Sequence, residues 1–226
     1  MTLPLWLVPA LPLAGFLLNG LVALVCGSRR AAKANAAWRA AHPDDHGHDG
    51  HGNDAHGHDD HEHGHGDAHG HDDHGHGHAG PFLPYWERLF YGVVGVASVG
   101  LAGVVAFANV VPYVLGSLAT EGGLAPVVQT AYKWMAAGHV SVDLAFRLDA
   151  LSAMMLSFVT FVGTLIHVYS VGYLQDEEGY GRYFAFLNLF MFAMLTLVLA
   201  SSLPVLFIGW EGVGLCSYLL IGYYYD

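Results

Sequence analysis

Gly209-Trp210-Glu211-Gly212-Val213-Gly214-Leu215-Cys216-Ser217-Tyr218-Leu219-Leu220-Ile221-Gly222-Tyr223 decides the fold. The run is apolar enough for most of a membrane helix, yet it carries one carboxylate, Glu211. Counted from Pro204 at roughly 1.5 Å per residue, Glu211 lies about 10 Å along such a helix. That is well inside a hydrocarbon core of about 30 Å. An ionisable group at that depth costs several kcal/mol unless it faces protein or a wet cavity, so its presence needs a reason.

Composition agrees with a membrane chain. Of 226 residues, 54% are hydrophobic and only 12% charged, against about 25% charged in a soluble domain. The formal net charge of -11 is local in origin. Ten of the 19 acidic residues fall between Asp44 and Asp73, which leaves 9 acids against 8 bases elsewhere. The bases sit at helix ends and form no stripe, so nothing supports nucleic-acid binding. Cys26 and Cys216 both lie in apolar runs and read as small buried hydrophobes, not as a disulfide framework. The N-terminus lacks a positive n-region and a cleavage site, so its apolar run reads as a retained span and not as a signal peptide.

Five apolar segments read as spans: Leu3–Cys26, Leu89–Leu115, Leu151–Leu174, Tyr183–Ala200 and Leu203–Tyr225. Hydrocarbon admits only helices or closed barrels, and barrel strands would alternate over about ten residues. The expected fold is therefore all-α, a polytopic transmembrane helix bundle of five spans with a disordered His-rich cytoplasmic loop. The corresponding segments are 1–27 for the first helix, 28–88 for the first connection, 89–115 for the second helix, 116–148 for an outer loop and 149–226 for helices three to five. Pro4, Pro9 and Pro12 crowd the start of the first helix, where proline does least damage. Ser201-Ser202-Leu203-Pro204 is a helix start, and Asp149 is placed to cap the third helix. Val140–Phe146 alternates like a short strand and pairs in expectation with Val127–Trp134.

Orientation follows from the bases. Arg29, Arg30, Lys33, Arg39 and Arg88 flank the first connection, and Arg182 lies in the third. The positive-inside rule then places the N-terminus outside and the first and third connections in the cytoplasm. Asp176, Glu177 and Glu178 in the third connection read as a solvated turn.

Residues 41–79 form a low-complexity tract holding 14 of the 16 histidines, interleaved with Asp and Gly. With almost no apolar residues it cannot offset the entropy of ordering, so disorder is expected. His56, His58, His61, His63, His65, His74, His76 and His78 supply imidazoles at spacings suited to Zn²⁺, Ni²⁺ or Cu²⁺. One reading is a divalent-metal buffer or sensor. The other is a solvated insertion with adventitious metal affinity, and this is favoured because loops accept long insertions at little entropic cost.

Glu211 is the candidate proton-relay residue. Burial among Gly209, Gly212, Gly214 and Ser217 would let neighbouring helices approach closely and would shift the carboxyl toward neutrality, where it can take up and release a proton. The competing reading is a structural Glu held by a hydrogen bond. No Lys or Arg follows Arg182, so a cationic partner must come from elsewhere. His167, in the third span, is a second titratable group, read first as a neutral histidine hydrogen-bonded within the bundle.

Five blocks carry a resemblance. Phe146-Arg147-Leu148-Asp149-Ala150-Leu151-Ser152, Gly163-Thr164-Leu165-Ile166-His167-Val168-Tyr169, Glu177-Glu178-Gly179-Tyr180, Arg182–Phe190 and Gly209–Tyr224 are together similar to the subunit L family of bacterial NADH-quinone oxidoreductase, respiratory complex I. The resemblance implies an antiporter-like, proton-pumping subunit of the membrane arm in the bacterial inner membrane. Its partners would be the other membrane-arm subunits and the lipid bilayer. No redox cofactor is implied in this chain; FMN, Fe–S clusters and quinone would belong to other subunits. Neither a Cys₄ spacing nor a phosphate-binding Gly-rich turn is present. The family's essential glutamate of the fifth helix matches Glu211. Its chain runs on through further helices with the lysines that serve that glutamate, so this sequence reads as an N-terminal portion. The His-rich insert is outside the family pattern.

Three rival readings remain open at this point. The large subunit of a multisubunit Na⁺/H⁺ antiporter shares the glutamate. A metal-cation transporter would use the His-rich loop, but it needs acid and imidazole pairs inside the spans, where only His167 occurs. A purely structural assembly subunit would leave Glu211 inert.

Overall fold

The computed structural model describes residues 3–41, 83–120, 125–137, 140–174, 177 and 179–224. Five helices dominate: α1 (Leu7–Ala41), α2 (Tyr85–Ala119), α3 (Ala150–Tyr173), α4 (Tyr180–Leu199) and α5 (Leu203–Ile221). Each contains a stretch long and apolar enough to cross a membrane. The expected helical bundle is borne out, and its boundaries shift for local reasons. Helix α1 continues past Cys26 to Ala41 because Ala31, Ala32, Ala34, Ala36 and Ala37 are strong helix formers that carry the helix beyond its apolar part. Helix α5 stops at Ile221, and its last turn tightens into a 3₁₀ turn over Gly222–Tyr224.

Two strands, β1 (Val127–Ala137) and β2 (Val140–Leu148), form an antiparallel hairpin between α2 and α3. The register runs from Val127 opposite Leu148 to Ala137 opposite Val140, with irregularities at Thr130/Tyr132 and Lys133/Met135. This hairpin closes one end of the bundle. The Leu5 backbone N–H donates to Gln129 Oε1 at 2.7 Å, and the Ser201 N–H donates to the Ala145 carbonyl at 3.2 Å. The start of α1, the α4–α5 connection and the start of α3 are thus tied to one sheet. Ala145, Phe146 and Leu148 are buried there.

Contacts divide the chain into two units, 1–26 with 81–226, and 27–80. In the second unit the described part is the polar end of α1, largely exposed. The first unit holds two apolar clusters. One gathers Leu5, Val8, Val99, Ala102, Leu156 and Leu195. The other is aromatic, with Tyr91, Tyr180 and Phe184, the last two rings 4.8 Å apart. Of the two cysteines, Cys216 is buried and Cys26 half-buried.

Helix α5 lies on α4 along a face of small residues. A Cβ on Gly209 would come within 2.7 Å of the Leu197 backbone nitrogen and 2.8 Å of its Cα. One on Gly212 would meet the Ala193 Cβ at 2.9 Å. In hydrocarbon there is little hydrophobic drive between helices, so close backbone approach supplies the attraction. Gly209→Ala should push the helices apart and cost about 1–3 kcal/mol, the usual range for overpacking. Gly214→Ala, where a Cβ meets nothing within 4 Å, should be neutral. Thermal unfolding of the two variants in detergent checks this; equal losses would refute the packing argument.

Candidate functional site

Helix α5 begins at Ser202, the N-cap, with a proline in its first turn. Glu211 is the ninth of its 19 residues, counted from Leu203. The α4-facing side is marked by Val205, Gly209 and Cys216, all buried. At 100° per residue, Glu211 falls well off that face. It is exposed on this chain and has no hydrogen-bond or ion-pair partner among the described residues. Its neighbours three and four residues away, Phe207, Ile208, Leu215 and the exposed Gly214, are likewise uncovered. The carboxylate therefore sits alone on an otherwise apolar flank. Gly209 and Gly212 serve the α4 contact and do not enclose the acid.

His167 has a different setting. It is fully buried on α3, facing α2 and α4. Its Nδ1–H donates to the Gly163 carbonyl at 2.8 Å, and its ring meets Phe184 edge-on at 6.2 Å. The ring is thus tied to the carbonyl four residues back on its own helix. His167 and Glu211 are not brought together, since they belong to different packing faces. The histidines of the 41–79 tract proposed for metal, His56 to His78, lie outside the described residues. Among the described residues no group of three or more His, Cys, Asp or Glu is placed to hold a metal ion.

Sequence reasoning passed over several buried polar residues. Asn19, Asn109, Thr160, Ser170 and Asn188 are all buried within the helices. The signal was present on α3, where Thr160, Thr164, His167 and Ser170 recur at spacings of three and four, as one helical face requires. Their hydroxyls satisfy themselves locally: Thr160 donates to the Leu156 carbonyl and Thr164 to that of Thr160, each at 2.7 Å. Such back-bonding to the preceding turn lets a hydroxyl sit in an apolar helix.

At the hairpin end, Asp149 caps α3 in a reciprocal box. Its Oδ1 accepts from the Ser152 N–H at 2.9 Å, and the Ser152 hydroxyl accepts from the Asp149 N–H at 2.7 Å. Arg147 Nη2 lies 3.1 Å from Asp149 Oδ2. The Ser152 backbone N–H is the main reason the Asp149 carboxyl stays below the usual carboxylate range, with the Ser152 hydroxyl and Arg147 adding to it against a partial burial.

A five-helix membrane bundle with a carboxylate in the fifth helix and a hairpin-capped third helix defines a class of polytopic membrane protein. Residues 134–184 match the family described as NADH-ubiquinone oxidoreductase (complex I), chain 5 N-terminus. NADH-quinone oxidoreductase subunit L of Escherichia coli K12 is 47% identical over 141 residues, 62% of this chain and 22% of that protein. The Pseudomonas aeruginosa protein of that name shows the same identity and coverage, and that of Mycobacterium tuberculosis H37Rv is 41% identical over 127 residues, 56% of this chain and 20% of its own. The resemblance read from the five blocks together is borne out: the chain is similar to subunit L, and it spans about a fifth of the length of these relatives, 22% in the first two.

The cap makes a pH prediction. Because the folded carboxyl is held low, its contribution is present above the usual carboxylate range and is lost as pH falls through the lowered value. Asp149→Asn keeps a capping oxygen but cannot titrate. Its unfolding should therefore be flatter with acidification than that of the native chain, while Asp149→Ala should be weaker by about 1 kcal/mol at neutral pH. Parallel acid dependence in the native and Asn proteins would remove Asp149 from the pH response.

Proposed function

We propose that this chain corresponds to the N-terminal portion of a proton-translocating membrane-arm subunit of NADH:quinone oxidoreductase, with Glu211 as a proton-relay carboxylate. The observation that carries the reading is an acid in mid-helix on an apolar span, within the block that resembles subunit L. A carboxylate so placed cannot remain against hydrocarbon without a cost of several kcal/mol. Its flank therefore needs a protein partner or a wet cavity. Beside such a partner, a proton is held when the site is dry or the partner cation is distant, and released when a cation approaches or water enters. Movement in the arm then changes the proton's affinity for Glu211.

In this reading the chain performs no redox chemistry. NADH oxidation and quinone reduction, with FMN and Fe–S clusters, lie in other subunits, and the energy arrives through contacts with the remaining membrane arm. The bases at the first and third connections support a bacterial inner-membrane topology with the N-terminus outside and the 28–88 connection in the cytoplasm. The relatives carry the NADH-quinone oxidoreductase name, which does not favour the antiporter or metal-carrier alternatives.

Glu211→Gln in the assembled complex tests the role. Proton translocation driven by NADH in inverted membrane vesicles should fall severalfold while the complex still assembles. Glu211→Asp should retain part of it, because a carboxylate with a shorter reach still titrates. Native translocation by the Gln variant would refute the relay.

A further inference from the structure

Helices α4 and α5 run antiparallel, with Gly209 against Leu197 and Gly212 against Ala193. The end of α5 therefore lies beside the start of α4. Their junction there is aromatic. The Tyr183 and Tyr223 rings meet edge-on with centroids 5.5 Å apart, and a Cβ on Gly179 would come within 2.7 Å of Tyr223 Oη. Beside this junction the two helices leave a groove of about 570 Å³. Its lining includes Arg182 and Phe186 of α4, Tyr218 and Leu219 of α5, and Tyr223. The size falls within the range of about 300–1,000 Å³ usual for clefts that hold small molecules. Glu211 lies two turns back along α5 from Tyr218 and is not a lining residue.

Among the described residues the groove has one charged group, and it stands at the mouth. Arg182 is the third residue of α4. Its guanidinium is exposed and has no hydrogen-bond or ion-pair partner among the described residues. Glu177, exposed in the turn before α4, does not line the groove. Phe186 stands one turn deeper on the same face of α4, about 6 Å along the axis, and Leu219 continues the apolar lining from α5. Tyr218 is 74% and Ile221 84% exposed, so the groove opens away from the bundle. In a chain of five spans, the start of α4 and the end of α5 fall together at one face of the bilayer. Aromatic side chains and lipid headgroups share that level.

A cation at the mouth and an apolar wall below it ask for an amphiphile: an anion for the guanidinium and a hydrocarbon chain for the wall. Free phosphate would satisfy Arg182 and leave Phe186 and Leu219 uncovered. A zwitterionic lipid brings its own cation, which opposes Arg182. We propose that this groove is a specific site for an anionic glycerophospholipid, its phosphate paired with Arg182 and one acyl chain laid along Phe186 and Leu219. Arginine suits the role, because its planar fork meets two phosphate oxygens at once. Basic pockets between membrane helices hold anionic headgroups in this way. Tyr218 sits with its amphipathic ring at headgroup level. Because the lining comes from both α4 and α5, an occupied groove favours the packed pair. The site rests on the five membrane helices and not on the relay proposed for Glu211.

The test is photolabelling of the full chain in liposomes. One probe is phosphatidylglycerol with a diazirine on an acyl chain; the other is phosphatidylcholine with identical chains, in otherwise identical vesicles. Adducts are located by mass spectrometry of the peptides. Phosphatidylglycerol should label the segments carrying Phe186 and Leu219 about fivefold more than phosphatidylcholine, the preference one interfacial arginine supplies. Arg182→Gln, a change at an exposed position whose helicity is checked by circular dichroism, should erase the preference, and Arg182→Lys should keep part of it. Glu211→Gln should leave it unchanged, which separates this site from the relay. Excess inorganic phosphate should not compete. The proposal is overturned by equal labelling with the two probes, by a preference that survives Arg182→Gln, or by competition from inorganic phosphate. Absence of label at both segments overturns it too, since protein would then cover the groove.

Discussion

Inside a membrane span no water is at hand, so each polar atom must be answered by another protein atom. Most of this fold can be read as the consequence. The backbone answers itself by being helical. The α3 hydroxyls turn back to carbonyls four residues earlier, as Ser157 does to Ala153 and Ser170 to Ile166, each at 2.8 Å. Asn109 does the same from its amide, to the Val105 carbonyl at 2.9 Å. Where the chain leaves the helices, the hairpin takes over, accepting the free N–H groups of Leu5 and Ser201.

Two titratable side chains stand on opposite sides of that constraint. His167 is answered within the chain at Nδ1, by the Gly163 carbonyl. Glu211 is not answered at all within the described residues. The difference follows from the two helices. Helix α3 faces α2 and α4 with its polar stripe. Helix α5 spends its small residues on α4 and leaves its acid on the uncovered side. The relatives of which this chain spans about a fifth are correspondingly longer, and the proposed function takes that flank to be covered. In the proposed function it is the covering structure that decides when the proton stays.

Close helix approach is the other recurring device. Gly209 admits the Leu197 backbone, and Gly15 admits Ser98. At the first, proximity replaces a hydrophobic drive that lipid cannot supply. At the second, it seals a polar cluster from the apolar surroundings. The same small side chain thus serves adhesion in one place and insulation in the other.

The number of helices, their approximate ends and the capping role of Asp149 were legible in residue order, because span length, apolar composition and cap chemistry are local properties. The hairpin was legible as a pair of alternating segments, and the intramembrane position of Glu211 as a charge in an apolar run. The length of α1 beyond Cys26 was open to helix propensity alone, once its alanines are weighed. Residue order could not show which side of α5 meets α4, since an almost uniformly apolar helix has no polar face to betray its orientation. Nor could it show that Ser98 and Asn188 meet. They lie on two helices, 90 positions apart in sequence, and only the packing of α2 and α4 brings them within hydrogen-bonding reach.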